Sequence, residues 1–420
     1  MNQETRPSSL DAKSNEPPGH DIFCTPENSD FLSKVHYQDL NPTEREIRLL
    51  EILPDSGSGF IECELLPSVK LADVHKQYLA LSYCAGNPHN TKAIIVNGTS
   101  CNVFANLHHA LAMVRNYWET QANQRDLLLW VDQICINQFN LEERSHQVGF
   151  MKEIYQSAQE TLICLSLAET EGRGMKRFIE FRQRLIQYLA ENSRAEITEV
   201  FVSVSDIHTY TSDISGEEDL VDSWDEFFHV LNSPWWERAW VFQEFMVSSR
   251  PIFLSGRYSM PYDEMRLILM GISFATIYLE DRLFRLPQRS KCSVEKIKEA
   301  LERAYKMILA KGTWVQNGTL ANLLVHTSSC KASDPRDRIF SVLDRSYPHN
   351  KQDGLPSWAV NWMEKINPDE NLDGIANNKI GDQFRKHYIK LERADASFYK
   401  FLTQTTPKER QQPWKRGVYS

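Results

Sequence analysis

Two glutamates and one aspartate are the side chains of this sequence with the clearest potential for chemistry. Asp132 lies in the run LLLWVDQICI at 127–136, whose alternate faces are both apolar, a pattern typical of a strand inside a parallel sheet. Ligand sites in such sheets lie at the carboxyl ends of strands, so Asp132 could hydrogen-bond a ribose or orient a base. It could equally bind backbone amides of the following loop, and the amides of Asn137 and Gln138 suit both uses.

Glu143 is the first candidate for a catalytic carboxylate. Asn140, three residues earlier, resembles the start of a capping box, which gives Glu143 an alternative task in capping the helix that begins there. Arg144 and Gln147 lie about one turn apart on that helix and share one edge of it. Arg144 could hold a phosphate through two hydrogen bonds or pair with a nearby acid.

Glu244 is the second candidate carboxylate. It ends the segment SPWWERAWVFQE at 233–244, which begins with a capping serine and a proline, a typical helix start. If the helix is continuous, Trp236, Trp240 and Gln243 lie along one stripe. This aromatic wall could stack a nucleobase or pack against the main sheet.

The elements that position these residues are predicted to form an α/β domain. Strand, helix, strand, helix and strand alternate across 78–167, which indicates a parallel sheet with right-handed crossovers. Asn106 is predicted to cap the first of these helices. The carboxyl end of the first strand then adds Tyr83 and Gly86 to the residues that could line a ligand pocket.

Composition shifts divide the chain into five segments. The first is expected to be a disordered arm, because it is poor in large apolar residues. The others are an α/β core, a helix with an acidic connector, a mostly helical region and a basic tail. Their predicted bounds, in that order, are 1–40, 41–170, 171–222, 223–365 and 366–420.

Charge and motif content exclude several classes of protein. Lys and Arg number 47 against 56 Asp and Glu, a net charge of −9, so a nucleic-acid partner is not expected. The apolar run 267–279 is shorter than a membrane span, and residues 1–22 lack a secretion signal, so we expect a cytoplasmic protein. Eight scattered cysteines show no metal-binding spacing, and no phosphate-binding, nucleophile-elbow or dinucleotide-binding motif occurs.

Five segments together resemble the fungal heterokaryon-incompatibility (HET) domain family. They are YLALSYCAG, LLLWVDQICINQFNLEERSHQVGFMKEIYQSA, SPWWERAWVFQE, SDPRDRIFSVL and LPSWAVNW, and WVDQICINQ is the strongest signature. The resemblance covers about positions 47 to 365. It implies a module of self/non-self recognition and programmed cell death that self-associates or contacts protein partners, with no required cofactor.

The HET family is also distantly similar to TIR domains, which have a flavodoxin-like fold. Because some TIR domains cleave NAD, the resemblance implies a second possibility, an NAD glycohydrolase that uses Glu143 or Glu244, with NAD as substrate. A third possibility is a degenerate copy without killing activity. Ala85 occupies the position where the family usually has tryptophan, and an indole reduced to a methyl group loses a large apolar surface.

Overall fold

A nine-stranded mixed sheet organises the part of the chain that the structure, a computed structural model, describes. The chain divides into two compact units, Met1–Lys311 and Gly312–Ser420, and the sheet belongs to the first. The described residues are 28–34, 37–121, 126–166, 172–192, 210, 224–278, 293–312, 330 and 331.

The strands are short, and their order in the sheet differs from their order along the chain. β1 and β4 form a separate two-stranded ladder, and the large sheet has the order β11-β10-β9-β5-β8-β2-β3-β6-β7. Along the chain they are β1 (Glu46–Ile47), β2 (Leu50–Ile52), β3 (Glu62–Leu65), β4 (Val69–Lys70), β5 (Leu79–Ser82), β6 (Thr91–Val96), β7 (Thr99–Phe104), β8 (Leu127–Trp130), β9 (Glu160–Cys164), β10 (Pro251–Ser255) and β11 (Tyr258–Pro261).

Four neighbouring strands, β10, β9, β5 and β8, run parallel. Every residue of β5, β9 and β10 is buried, as expected where helices cover both faces of a parallel sheet. The pairs β2–β3, β2–β8, β6–β7 and β10–β11 are antiparallel. The predicted α/β class is confirmed. The predicted parallel sheet is correct for this block and for the pair β3–β6, whereas the sheet as a whole is mixed.

Helices fill the connections between the strands. α2 packs on β6, β7, β9 and β10, and α8 packs on α5 and β5. In chain order they are α1 (Ser29–Lys34), α2 (Ala105–Glu119), α3 (Asp132–Cys135), α4 (Leu141–Gly149), α5 (Met151–Ser157), α6 (Arg173–Asn192), α7 (Trp224–Leu231), a 3₁₀ helix (Pro234–Glu237), α8 (Ala239–Val247), α9 (Tyr262–Tyr278) and α10 (Val294–Gly312).

The run 127–136 is shorter as a strand than predicted. β8 ends at Trp130, and Asp132–Cys135 forms a helical turn in which the Cys135 N–H donates to the Val131 carbonyl at 2.9 Å. The residues of this turn are nevertheless mostly buried. Continuous burial therefore gives the run an apolar pattern on both faces although half of it is not a strand, because periodicity alone does not separate these cases.

The helix predicted after Asn140 begins where expected but is broken. The Asn140 side chain accepts hydrogen bonds from the backbone N–H groups of Glu142 and Glu143, both at 3.1 Å, so the predicted cap is confirmed. Phe150, at φ −125°, separates α4 from α5. Leu141, the first residue of α4, is 57% exposed.

The segment 233–244 is also not one helix. Ser233 caps a 3₁₀ helix through the Trp235 N–H, and Arg238 then adopts extended geometry before α8 begins. Trp236 and Trp240 therefore lie on different helices. The predicted stripe of tryptophans is wrong, because the 3.6-residue period does not continue through an extended residue.

Several predicted segments lie wholly or partly outside the described residues. Within the expected arm, 1–40, residues 28–34 and 37–40 are described; they include α1, whose Phe31 is fully buried. The connector 195–222 is described only at Tyr210, and the tail 366–420 lies outside altogether. These domain boundaries therefore stay predictions.

The described helices bury their apolar faces in the interior of the first unit. α6 buries four apolar side chains on one face, Met175, Phe178, Phe181 and Leu185. Over the described ranges, each helix is too short or too polar to cross a membrane.

Candidate functional site

Ser82 and Glu244 meet at the carboxyl end of β5. Ser82 is the last residue of that strand, and its side chain hydrogen-bonds Glu244 on α8, 162 positions away in the sequence. Trp235 Nε1 donates to Ser82 Oγ at 2.8 Å. Since an indole N–H can only donate, the serine oxygen accepts from Trp235, and the serine hydroxyl donates its own hydrogen bond to Glu244. One carboxyl oxygen, Oε2, is thus held as an acceptor.

Glu244 has an unusual electrostatic environment. Its side chain is 4% exposed, and burial raises the pKa of its carboxyl group from the ordinary 4.5 to about 7. The Arg238 guanidinium and the Ser82 hydroxyl favour the ionised form and limit this rise, while the charge of Asp132 increases it. Glu244 therefore changes its protonation near neutral pH, a property common among catalytic acids and bases.

Asp132, Tyr83 and Arg238 complete the cluster around Glu244. Arg238 donates a hydrogen bond to the Tyr83 carbonyl, and its charge acts on both Asp132 and Glu244. Burial raises the pKa of Asp132, and Arg238 opposes this rise. One cation thus faces two carboxyl groups, which favours a single ionised carboxyl. Tyr83 and Glu244 are buried, and Asp132 and Arg238 are partly exposed.

Gly86 shapes the loop that follows Tyr83. Its φ is +83°, and a Cβ atom there would lie 2.3 Å from Asn106 Nδ2. Asn106 does not cap α2 as predicted. Instead its Nδ2 donates to the Cys84 carbonyl at 2.9 Å and ties the loop to the helix. Glycine is needed here for both its backbone conformation and its small size.

Glu143 lies apart from this cluster in a buried ion pair. Its Oε1 and Oε2 accept from Arg48 Nη1 and Nη2 at 2.7 and 3.0 Å, and Oε1 also accepts from the Asn137 N–H at 2.7 Å. Both side chains are almost fully buried. The expected contact of a capping box, with the Asn140 N–H, is replaced by the contact with Asn137. This geometry gives Glu143 a structural role and leaves Glu244 as the stronger candidate carboxylate.

Other predicted site residues near Glu143 also make hydrogen bonds to the backbone, which stabilise the fold. Gln138 Nε2 donates to the Asp132 carbonyl at 2.7 Å, and Gln147 Nε2 donates to the Glu46 carbonyl at 2.8 Å. The Asn137 side chain accepts from a backbone N–H of its own loop. Arg144 is partly exposed on α4, one residue after Glu143. Gln147 Nε2 and Asn137 Oδ1 are therefore occupied by backbone groups.

The aromatic residues differ most from expectation. Trp236 is buried against Phe253, with ring centroids 5.5 Å apart, and its Nε1 donates to the Val230 carbonyl at 2.9 Å. Trp240 is partly buried against the hydrophobic core, and Gln243 is also partly buried. Trp236 also packs against Trp235, with ring centroids 5.0 Å apart. Trp235 is the tryptophan that hydrogen-bonds Ser82 in the cluster.

The structure therefore unites Tyr83, Asp132 and Glu244, and adds residues that sequence analysis missed. These are Ser82, Gln133, Trp235 and Arg238. Gln133 Oε1 lies 3.4 Å from the Tyr83 hydroxyl, which donates to it, and is buried. Trp235 and Arg238 lie in the segment 233–244, which also contains the candidate Glu244. Ser82 is the polar last residue of an apolar strand. Among the described residues, no cluster of His, Cys, Asp and Glu could hold a metal ion.

The fold and the cluster define a protein with an α/β domain and a buried, titrating carboxyl at the carboxyl edge of its parallel strands. Residues 78–244 match the family described as heterokaryon incompatibility protein (HET). The chain is also 26% identical to heterokaryon incompatibility protein 6, OR allele, of Neurospora crassa, over 342 residues that cover 72% of this chain and 48% of the relative. No solved structure matches the chain. Residues 78–244 of this chain are therefore similar to the HET domain, and the chain spans about half the length of that relative.

Exchange of Glu143 for glutamine should destabilise the fold. Glu143→Gln leaves the Arg48 charge buried without its counter-ion, so we expect a loss of about 3–5 kcal/mol in the free energy of unfolding. Exposed Glu142 on the same helix offers the control, and Glu142→Gln should cost less than about 0.5 kcal/mol. Chemical denaturation would measure both. Equal stability of the two variants would contradict the structural role of Glu143.

Gly86→Ala should cost more than the same change at Gly57. Gly57 has a similar φ of +77° but nothing within 4 Å of a Cβ, so it isolates the backbone strain of about 1–2 kcal/mol. At Gly86 the methyl group also displaces Asn106, which adds about 1 kcal/mol for the lost hydrogen bond. Denaturant titrations should show that this excess vanishes when Asn106 is alanine. An excess that persists would point to another cause.

Proposed function

We propose that this protein is a cytoplasmic signalling module of self/non-self recognition, which triggers programmed cell death when it self-associates or contacts a partner protein. The match of residues 78–244 to the HET family supports this proposal, as does the similarity to an incompatibility protein of Neurospora crassa.

The observation that carries the proposal is where the two ends of the matched segment lie. The segment begins at Tyr78, at the start of β5, and ends at Glu244, and the hydrogen bond between Ser82 and Glu244 joins these ends. The cluster therefore links β5, near the first residue of the matched segment, to α8, which holds its last residue. A partner that shifts α8 would change the surroundings of Glu244, because its charge, burial and hydrogen bonding all depend on that contact.

A second candidate function is cleavage of NAD by Glu244, as in some TIR domains. The raised pKa of Glu244, together with Asp132 and Arg238 at the carboxyl edge of the parallel strands, favours it. Water would attack the ribose C1′ as the bond to the pyridinium nitrogen breaks. Nicotinamide would leave with the bonding electron pair, and ionised Glu244 would stabilise the oxocarbenium character and take the proton of water. Arg238, which faces Glu244, replaces Arg144 as the candidate phosphate ligand.

The degenerate copy remains the third candidate. Ala85, where the family usually has tryptophan, is partly buried and packs against the hydrophobic core. Ala85 lies two residues after Tyr83 in the loop that follows β5, so the loss of an indole there would remove an aromatic surface from this loop.

Glu244→Gln should abolish killing. We expect at least a tenfold rise in surviving colonies when this variant, rather than the wild-type chain, is induced in a fungal host, because the amide cannot ionise and its hydrogen bond with Ser82 changes. Glu142→Gln is the control and should kill like wild type. Protein abundance must be equal in all strains. Killing by Glu244→Gln at wild-type level would refute a role of the cluster, and a wild-type chain that never kills would favour the degenerate copy.

Nicotinamide release should depend on the ionisation of Glu244. If the chain cleaves NAD, its rate should rise with pH through about 7, because the carboxylate form stabilises the transition state and burial sets that pKa. Ser82→Ala removes a donor that favours the ionised form, so the profile should move to higher pH. Ser255→Ala, a buried serine at the end of β10, is the matched control. No release from a chain forced to assemble would refute the glycohydrolase.

A further inference from the structure

β7 is the last strand of the large sheet, and a side chain covers part of its outer backbone edge. The N–H groups of Ile95 and Asn97 donate to carbonyls on the β3 side of β6, at Ile61 and Cys63. Ile95 pairs with Ser100 in the antiparallel ladder of β6 and β7. By the alternation of such ladders, the backbone groups of Ser100, Asn102 and Phe104 point away from β6.

Asn28 covers this edge with its side-chain amide. Its Oδ1 accepts from the Asn102 N–H at 2.6 Å, and its Nδ2 donates to the Asn102 carbonyl at 3.0 Å. These two bonds reproduce what a neighbouring strand would make with one residue. Asn28 is fully buried, and Phe31 on α1, also fully buried, packs into the core beside it.

β7 itself lacks the usual defences of an edge strand. Edge strands are normally protected by charged residues, proline or a covering element. The sequence of β7, TSCNVF, has no charge and no proline, and it is rich in residues that favour strands. At the opposite end of the sheet, β11 carries Pro261. The cover over Asn102 therefore supplies the protection that the β7 sequence does not.

We propose that α1, with Asn28, is a removable cover, and that its release lets β7 pair with β7 of a second copy of this chain. An antiparallel pair centred on Asn102 would align Ser100 of one copy with Phe104 of the other. The outward backbone groups of all three residues would then face their partners, and no like charges would meet. A second copy fits this edge because β7 is complementary to itself under two-fold symmetry.

Pairing at β7 would also reach the cluster around Glu244. Gln133 Oε1 accepts weakly, at 3.4 Å, from both the Phe104 N–H and the Tyr83 hydroxyl. A strand paired with β7 would compete for the Phe104 N–H and leave Gln133 to bind Tyr83 alone. This connection deepens the proposed function and rests on its assembly step, whereas the pairing itself does not depend on cell death or NAD.

Removal of the Asn28 amide tests the pairing. Sedimentation velocity of the full-length chain should show self-association at least tenfold tighter for Asn28→Ala than for wild type. Asn28→Asp keeps the acceptor for the Asn102 N–H and loses the donor, so it should fall between the two. Ser33→Ala, at an exposed position of α1, should match wild type. Unchanged association of Asn28→Ala, with the fold intact by circular dichroism, would overturn the proposal.

A second change locates the interface. Ser100→Pro, in the Asn28→Ala background, removes an outward N–H without breaking the ladder with β6, so association should return to the wild-type level. Association that survives Ser100→Pro would place the interface elsewhere and refute β7 pairing. Asn102→Cys in the same background should give a disulfide-linked dimer under oxidising conditions, and its absence would exclude the register centred on Asn102. These measurements use neither cells nor NAD, so a failure here is distinct from a failure of the proposed function.

Discussion

The hydrogen bond between Ser82 and Glu244 is the contact on which the candidate site depends. It joins the end of β5 to α8 across 162 positions and holds a carboxyl group away from water. Trp235 orients the serine hydroxyl by donating to it. Burial raises the pKa of Glu244, and the contact with Ser82 fixes the position of the carboxyl group and limits that rise.

The chain treats its two buried glutamates in opposite ways. Glu143 accepts hydrogen bonds from both terminal guanidinium nitrogens of Arg48 and from a backbone N–H. These contacts compensate its charge and hold α4 in place. Glu244 shares the Arg238 charge with Asp132 and remains sensitive to proton concentration. Complete pairing serves stability, whereas a buried carboxyl that shares its counter-ion keeps a pKa near neutral and so can change its protonation.

Much of the fold could be predicted because its signals are local. The apolar runs of β5 and β9 and the cap at Asn140 all depend on residues within a few positions of one another. The breaks at Phe150 and Arg238 were missed, since nothing in the local sequence marks them. Both residues have non-helical backbone angles that tertiary packing imposes, and each break changes which side chains share a face.

For the site, the sequence by itself determined a small set of polar residues at strand ends and helix starts, including Tyr83, Asp132, Glu143 and Glu244. Only the tertiary structure decided which of them meet. Glu143 and Glu244 are equivalent as residue types, and their roles separate because Arg48 lies beside one and Ser82 beside the other. Contacts between residues far apart in the sequence leave no periodic signal, so electrostatic environment becomes visible only once the chain is folded.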